Sequence, residues 1–279
     1  MQATGKTVCR PIVIRPRSGW RGADLRELWR YRELLGFLTW RDIKIRYKQT
    51  VLGCLWAFLQ PFVKMLIFSL VFGRIARMDT GGVPYPIFVF AGLLPWEFFA
   101  EALSRSSQSV VGSGSIITKV YFPRLIVPLA AVGGCIADFL IAFLILIGLM
   151  VYYHVPPTVH LVAVVPLSLA ATMAALGTGA LVSALNVAYR DFRYVMHFLI
   201  QVWMFLTPVV YPVSVFSGPW KLLLSLNPMA GVVGGFRSAI LGRPFDYQFI
   251  GLSLVAAVVV LMLGMLYFRR VERRFADII

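Results

Sequence analysis

Charge is scarce in this sequence. Only 14% of its 279 residues are Asp, Glu, Lys or Arg, where a soluble domain carries about 25%. Acidic residues are the scarcest, 12 against 27 Lys and Arg, which leaves a net charge of +15. The three cysteines, Cys9, Cys54 and Cys135, are scattered and make neither a disulfide framework nor a metal-binding spacing. His154 and His160 flank an expected outer loop without a cysteine or carboxylate beside them. They and His197 read as interfacial side chains, and no metal site is expected. Nucleophile-elbow and metalloprotease motifs are missing. Gly5-Lys6-Thr7 lacks the earlier glycine and the preceding strand that a phosphate loop requires. The chain is therefore expected to perform no covalent chemistry, to hold no catalytic residue and to bind no cofactor itself. The first apolar run begins near residue 51, too late for a secretory leader. No internal repeat supports an inverted-repeat transporter.

What is abundant is apolar surface. Hydrophobic residues make up 59%, with 21 Phe, 11 Tyr and 7 Trp, and the mean hydropathy is +0.79. That excludes a disordered chain and an ordinary soluble enzyme. Runs near the roughly 20 residues that a membrane helix needs lie at 51–72, 86–103, 126–153, 160–188, 194–215 and 247–268. The second is the weakest, because Pro95, Glu97 and Glu101 interrupt it. The stretch 216–242 is broken by Gly218-Pro219 and Asn227-Pro228 and reads as two short re-entrant helices. The expected fold is an all-α membrane protein. Six transmembrane helices occupy 51–268, between a cytoplasmic arm at 1–50 and a basic tail at 269–279. The basic residues lie between the apolar runs, which points to membrane topology rather than nucleic acid. Twelve of the 27 fall within residues 1–50, and 21 in all lie on one side against five on the other. The positive-inside rule then puts both termini in the cytoplasm, as an even number of spans requires.

The N-terminal arm carries its own signal. Asp24 and Glu27 have the spacing of a capping box. Leu28, Tyr31, Leu35 and Leu38 recur at helical spacing, among Arg26, Arg30, Arg32, Arg41, Lys44, Arg46 and Lys48, with Trp29 and Trp40. A basic helix with an apolar stripe suits a membrane interface. It suits equally a helix on which a cytoplasmic partner docks, and the two readings are compatible.

Four ionisable residues fall inside the expected spans: Lys64, Glu97, Glu101 and Asp138. A charge there costs at least about 2.5–3.5 kcal/mol. At about 1.5 Å per residue, Lys64 lies roughly 20 Å from one face and Glu97 roughly 17 Å from the other. In a core of about 30 Å they differ in depth by about 7 Å, so a Lys64–Glu97 pair is expected. Glu97, Glu101 and Arg105 share a helix face, with Glu101–Arg105 in the favourable orientation. The two carboxylates are either a salt-bridged wet face or acid/base machinery. Asp138 has no cation near it in sequence. It either hydrogen-bonds across helices or lines a path. Ala171, Ala175, Gly179 and Ser183 form a small-residue stripe for close helix packing. Gln60-Pro61 is expected to kink the first span, and Thr207-Pro208 with Tyr211-Pro212 to break the fifth. In the loop after the second span, Ser115–Tyr121 can make two turns of helix before Pro123, a connector or a knob for a soluble partner.

Five motifs then stand in order: Arg41-Asp-Ile-Lys-Ile-Arg-Tyr-Lys-Gln-Thr-Val-Leu-Gly53, Leu55-Trp-Ala-Phe-Leu-Gln-Pro61, Ala91-Gly-Leu-Leu-Pro-Trp96, Thr118-Lys-Val-Tyr-Phe-Pro-Arg124 with Pro128-Leu129, and Asn227-Pro228. Together they resemble the membrane (permease) subunit of ABC-type polysaccharide exporters, the Wzm-like O-antigen and teichoic-acid transporters, from about residue 25 to the end. The resemblance implies a homodimer of this chain in the bacterial inner membrane, bound to two copies of an ATP-binding cassette subunit that carries the ATP and Mg. A lipid-linked glycan would pass between the two permeases. It makes residues 26–47 an interface helix, with Trp29, Arg30, Arg32, Trp40, Arg41, Lys44 and Arg46 on it. It makes 115–121 the coupling helix, with Ser115, Ile116, Lys119, Val120, Tyr121, Phe122 and Arg124 facing the ATPase, and 220–241 the outer gate helices. The family's channel is lined by aromatics, for which Trp56, Phe58, Phe62, Trp96, Phe98, Phe99, Trp203 and Phe205 are candidates. Lys64, Glu97 and Glu101 look like departures from the family pattern, fitted to a charged glycan or to the pair above.

Three other readings compete: an ABC exporter of a drug or lipid, an ion-coupled transporter using Asp138 and Glu97, and a membrane enzyme acting on lipid-linked sugars. The enzyme would need an acidic cluster at one interface, and the carboxylates are scattered.

Overall fold

The computed structural model describes residues 25–48, 53–189, 191–272 and 275. Asp24, the side chains of Arg26 and Glu27, Gly5-Lys6-Thr7 and Arg273-Arg274 lie outside what it describes. Every regular element among the described residues is helical: α1 (Leu25–Arg30), α2 (Arg32–Lys48), α3 (Gly53–Phe68), α4 (Tyr85–Gly112), α5 (Gly114–Ile117), α6 (Ile126–Gly134), α7 (Ile136–Tyr152), α8 (Val164–Ala188), α9 (Phe192–Leu206), α10 (Pro219–Ser225), α11 (Pro228–Leu241) and α12 (Tyr247–Glu272). A π stretch, Ser69–Ile75, extends α3 and a 3₁₀ stretch, Val159–Ala163, leads into α8, while a separate 3₁₀ turn, Val213–Val215, lies between α9 and α10.

Five helices among the described residues are long and apolar enough to cross a membrane: Leu55–Ile75, Tyr85–Gly112, Ile126–Tyr152, Val159–Ala188 and Tyr247–Glu272. The remaining expected span, the fifth, is shorter than its apolar run. α9 has 15 residues, about 22 Å at 1.5 Å per residue, against a hydrocarbon core of about 30 Å. Thr207-Pro208 and Tyr211-Pro212 end it, since proline lacks the N–H that continues a helix. The segment that looked weakest in sequence is the most central. α4 runs 28 residues through Pro95, and 78% of its most apolar stretch is buried, against 11% for the span containing α3. Its carboxylates do not interrupt it, because they have partners inside the protein.

Small residues set the helix crossings. The stripe Ala171, Ala175, Gly179 and Ser183 is buried, and a β-carbon on Gly179 would overlap the Ser106 hydroxyl of α4. Two residues earlier and on the opposite face of the helix, Gly177 meets Gly264 of α12. A β-carbon on Gly177 would lie 2.5 Å from the backbone N of Leu261, and one on Gly264 would overlap the Gly177 carbonyl. Backbone cannot move aside as a flexible side chain can, so the crossing requires glycine on both helices. Gly177→Ala or Gly264→Ala is expected to destabilise the detergent-solubilised protein by about 2 kcal/mol or more. Gly148→Ala, with open space around it, should leave the thermal unfolding temperature near that of the unaltered protein.

Candidate functional site

The chemistry-bearing side chains gather where α2, α3, α4 and α7 meet. Local packing explains why. α2 lies along α6, whose last two residues are Gly133 and Gly134. A β-carbon on Gly133 would press on Thr39 at 3.1 Å, and one on Gly134 would sit 3.6 Å from Asp42. Gly133 lets α2 approach closely, while a β-carbon at Gly134 would make only ordinary contact, and one turn beyond Asp42 the side chains of Arg46 and Tyr47 reach α7. There the Arg46 guanidinium pairs with Asp138, and the Tyr47 hydroxyl donates to the same carboxylate. Arg46 Nη2 also lies 2.6 Å from Glu101 Oε1 of α4, and that oxygen accepts from Arg105 Nε at 2.6 Å. One turn along α4, Glu97 takes both its hydrogen bonds from Lys64 of α3, at 2.9 and 2.8 Å. The pair that depth arithmetic called for is thus in place. Asp138, which had no cation nearby in sequence, has one across the fold.

The network borders two open cavities. One, of about 550 Å³, lies between α3, α4 and α7, and Trp56, Gln60, Phe98 and Phe139 are on its wall with Glu97, Asp138 and Arg46. The other, of about 390 Å³, lies between α2, α4 and α6 and is lined by Arg41, Asp42, Ser104, Gln108 and Ser109. Arg46, Glu101 and Arg105 border both. A row of alternating charges therefore joins two open spaces, which leaves the ion pairs partly exposed rather than sealed. Among the described residues no group of three or more His, Cys, Asp or Glu side chains is arranged to hold a metal.

The aromatic candidates divide. Trp56, Phe58 and Phe205 are exposed, and Phe62 and Trp203 are half-buried. Phe58 stacks on Phe62 at 5.8 Å, and Phe98, although buried, borders the larger cavity. Trp96 and Phe99 are corrected by their positions. They are 1% and 0% exposed and pack 5.5 Å apart, with Phe99 5.1 Å from Trp203, so neither offers a face to a passing ligand.

The loop after α4 also differs from expectation. It holds a single helical turn, Gly114–Ile117, rather than two turns over 115–121. Thr118 Oγ1 turns back onto the Gly114 carbonyl at 3.0 Å. Ser115, Lys119, Val120 and Tyr121 are exposed, Tyr121 at 83%, while Ile116 is half-buried. Phe122 is buried in a cluster with Leu38, Ile117, Leu125 and Phe268, so it holds the loop to the bundle and cannot face a partner. Arg124 is drawn the same way: its backbone N and its guanidinium donate to Glu272. On the arm, Leu28, Tyr31, Leu35 and Leu38 turn inward to that cluster, while Trp29, Arg30, Arg32, Trp40 and Lys44 are exposed and Arg41 is half-buried beside Asp42.

At the opposite end, 220–241 forms the hairpin of α10 and α11. Asn227 caps α11 by accepting from the Met229 N–H at 3.1 Å, Pro228 opens it, and Gly242 closes it at φ 65°. Asn227 also donates to Thr207 at 2.8 Å and accepts from Trp203 at 3.1 Å, which ties the hairpin to the break after α9. Arg237, which reads in sequence as a loop charge, is 5% exposed. It donates to the carbonyls of Phe88, Pro208, Val209 and Tyr211 and lies 3.9 Å over the Phe88 ring. Just before α12, the hydrogen bond from Lys221 (2.5 Å) holds the Asp246 carboxyl below its usual range. For Lys64 and Glu97, either single neutralisation, Lys64→Met or Glu97→Gln, is expected to cost about 2–3 kcal/mol by leaving one charge alone at depth. The exchange Lys64→Glu/Glu97→Lys should recover most of it, as read from thermal unfolding in detergent. An exchange as damaging as either single change would show that the pair is not what holds the two spans.

Comparison with known proteins completes the site. The sequence pattern of the family described as ABC-2 type transporter matches residues 33–241, which includes α2, the charge network and the α10–α11 hairpin. The chain is 32% identical to the O-antigen export system permease protein RfbA of Myxococcus xanthus, over 77% of this chain and 82% of that one. It is 26% identical to the protein of the same name from Klebsiella pneumoniae, over 88% and 95%. Against the polysialic acid transport protein KpsM of Escherichia coli the identity is 25%, over 83% and 91%.

Proposed function

Because this chain belongs to the ABC-2 type transporter family, we propose that it is the membrane subunit of an ATP-driven exporter of lipid-linked polysaccharide in a bacterial inner membrane. Two copies act with two copies of an ATP-binding cassette subunit, which holds ATP and Mg, and both termini face the cytoplasm. The observation that carries this reading is the similarity to O-antigen export permeases along more than three quarters of the chain. The structure supports it in two ways. Val120 and Tyr121 stand 57% and 83% exposed beside a loop anchored by Ile117 and Phe122, a shape suited to insertion into a soluble subunit. The larger cavity pairs aromatic faces with charged groups, the combination that grips sugar rings and hydroxyls. Glu97 and Asp138, which an ion-coupled transporter would use, are engaged by Lys64 and Arg46.

The test is purification from the native host in mild detergent, with mass spectrometry of what accompanies the chain. An ATP-binding subunit is expected in equal amount, together with a polyprenyl-linked glycan. Val120→Ala/Tyr121→Ala should remove most of the ATPase while the permease still folds, because both side chains lie outside the packed cluster. An intact permease without any ATPase would sink the proposal.

A further inference from the structure

We infer that Arg46 is the positioning residue through which movement of α2 reaches the membrane spans, so that it is needed for transport and dispensable for ATP hydrolysis. This rests on the exporter reading above. α2 and the turn α5 pack into one buried cluster: Leu38 of α2 and Ile117 of α5 lie in it with Phe122, Leu125 and Ile126. That cluster is the packed route by which pressure on the exposed face at Lys119–Tyr121 reaches α2. At the far end of α2, Arg46 bridges two different spans, Glu101 on α4 and Asp138 on α7. Glu97, four residues from Glu101 on the same face of α4, carries the connection to Lys64 on α3. A single side chain thus joins the partner-facing unit to three helices.

The network is arranged so that this link can open. Glu101 Oε1 accepts from Arg105 as well as Arg46, both at 2.6 Å. Asp138 accepts from Tyr47 as well as Arg46. If the guanidinium withdraws, Glu101 keeps Arg105, Asp138 keeps the Tyr47 hydroxyl, and Arg46 enters an open cavity that it already borders. Each carboxylate keeps one donor, Arg105 on Glu101 and Tyr47 on Asp138, so opening the link strips neither of every partner. That is what an element needs if a partner's binding energy is to shift it.

The experiment uses the full complex of the chain with its ATPase subunit, reconstituted in vesicles with its glycan. ATP hydrolysis and glycan export are measured side by side for Arg46→Gln, Arg46→Lys and Asp138→Asn. In Arg46→Gln, complex yield and ATP hydrolysis should stay within about twofold of the unaltered protein while export falls about tenfold. Arg46→Lys, which keeps the cation, should recover part of the export. Asp138→Asn should lower export in the same sense, and combining it with Arg46→Gln should add little further loss. Unchanged export in an assembled Arg46→Gln complex would overturn the inference, as would hydrolysis and export falling in parallel, the mark of a merely structural role. If Arg46→Gln does not assemble, Asp138→Asn decides by the same ratio, and an unchanged ratio there overturns it. Absence of an ATPase from the unaltered preparation is a different result and counts against the exporter reading itself.

Discussion

A charge or a bare carbonyl inside hydrocarbon must find its partner within the protein, because no water is there to supply one. Most of what is particular to this chain follows from that requirement. Lys64 lies within the first span and is met by Glu97. Asp138 lies within the third and is met by Arg46 and Tyr47. The chain also breaks after α9, which frees backbone carbonyls at 208–211, and the donors of a buried arginine, Arg237, turn to three of them. Tyr85 takes the fourth, donating to the Val210 carbonyl at 2.6 Å. Two sets of ion pairs at one end of the bundle and one satisfied break at the other let irregular backbone and charge sit within an otherwise apolar fold.

These partnerships depend on close approach, which the small residues provide. Gly133 helps bring α2 near enough for Arg46 to reach α7. Gly92 leaves room for the Arg237 guanidinium and the Val209 carbonyl, which would lie 2.8 and 3.0 Å from a β-carbon there, too close for one to fit without movement. Gly231 does the same for Ser253, which accepts from the Gly231 N–H at 3.0 Å and donates to the Ser225 carbonyl at 3.0 Å. In a membrane the helices gain little from leaving lipid, so these fitted contacts and polar ties carry the association.

The sequence made some of this legible and hid the rest for identifiable reasons. The Lys64–Glu97 pair could be placed because both residues sit on continuous apolar runs, where position along the run sets depth. Arg46–Asp138 could not. Arg46 is on a helix outside the apolar runs whose placement is set by packing along α6, a tertiary fact without a local pattern. Arg237 was hidden because its partners are backbone carbonyls, which leave no mark in side-chain pattern, and because a re-entrant helix broken by Gly218-Pro219 and Asn227-Pro228 gives no depth for its charge. The turn at 114–117 was over-extended, since the apolar residues Ile117 and Phe122 read as an outward knob when they are the loop's anchor. Trp96 and Phe99 were misjudged similarly: an aromatic on a central helix looks the same in sequence whether it faces a channel or a core.

The distribution of sign across the network carries a further consequence. Both α4 carboxylates, Glu97 and Glu101, lie on the most buried helix, while the cations that meet them from other elements lie on the periphery, Lys64 on the sparsely packed α3 and Arg46 on α2. One turn apart on a helix held firmly by α8, α6 and α11, the two carboxylates form a fixed rail. α3 and α2 each dock on it through one long, jointed cation. Long basic side chains tolerate several ångströms of sliding while keeping the pair, which short carboxylates on moving helices would not. An apolar contact of the same strength would be lost as soon as the surfaces parted. Charge pairs weaken gradually with distance, so α2 and α3 can shift against the central helices without the fold coming apart.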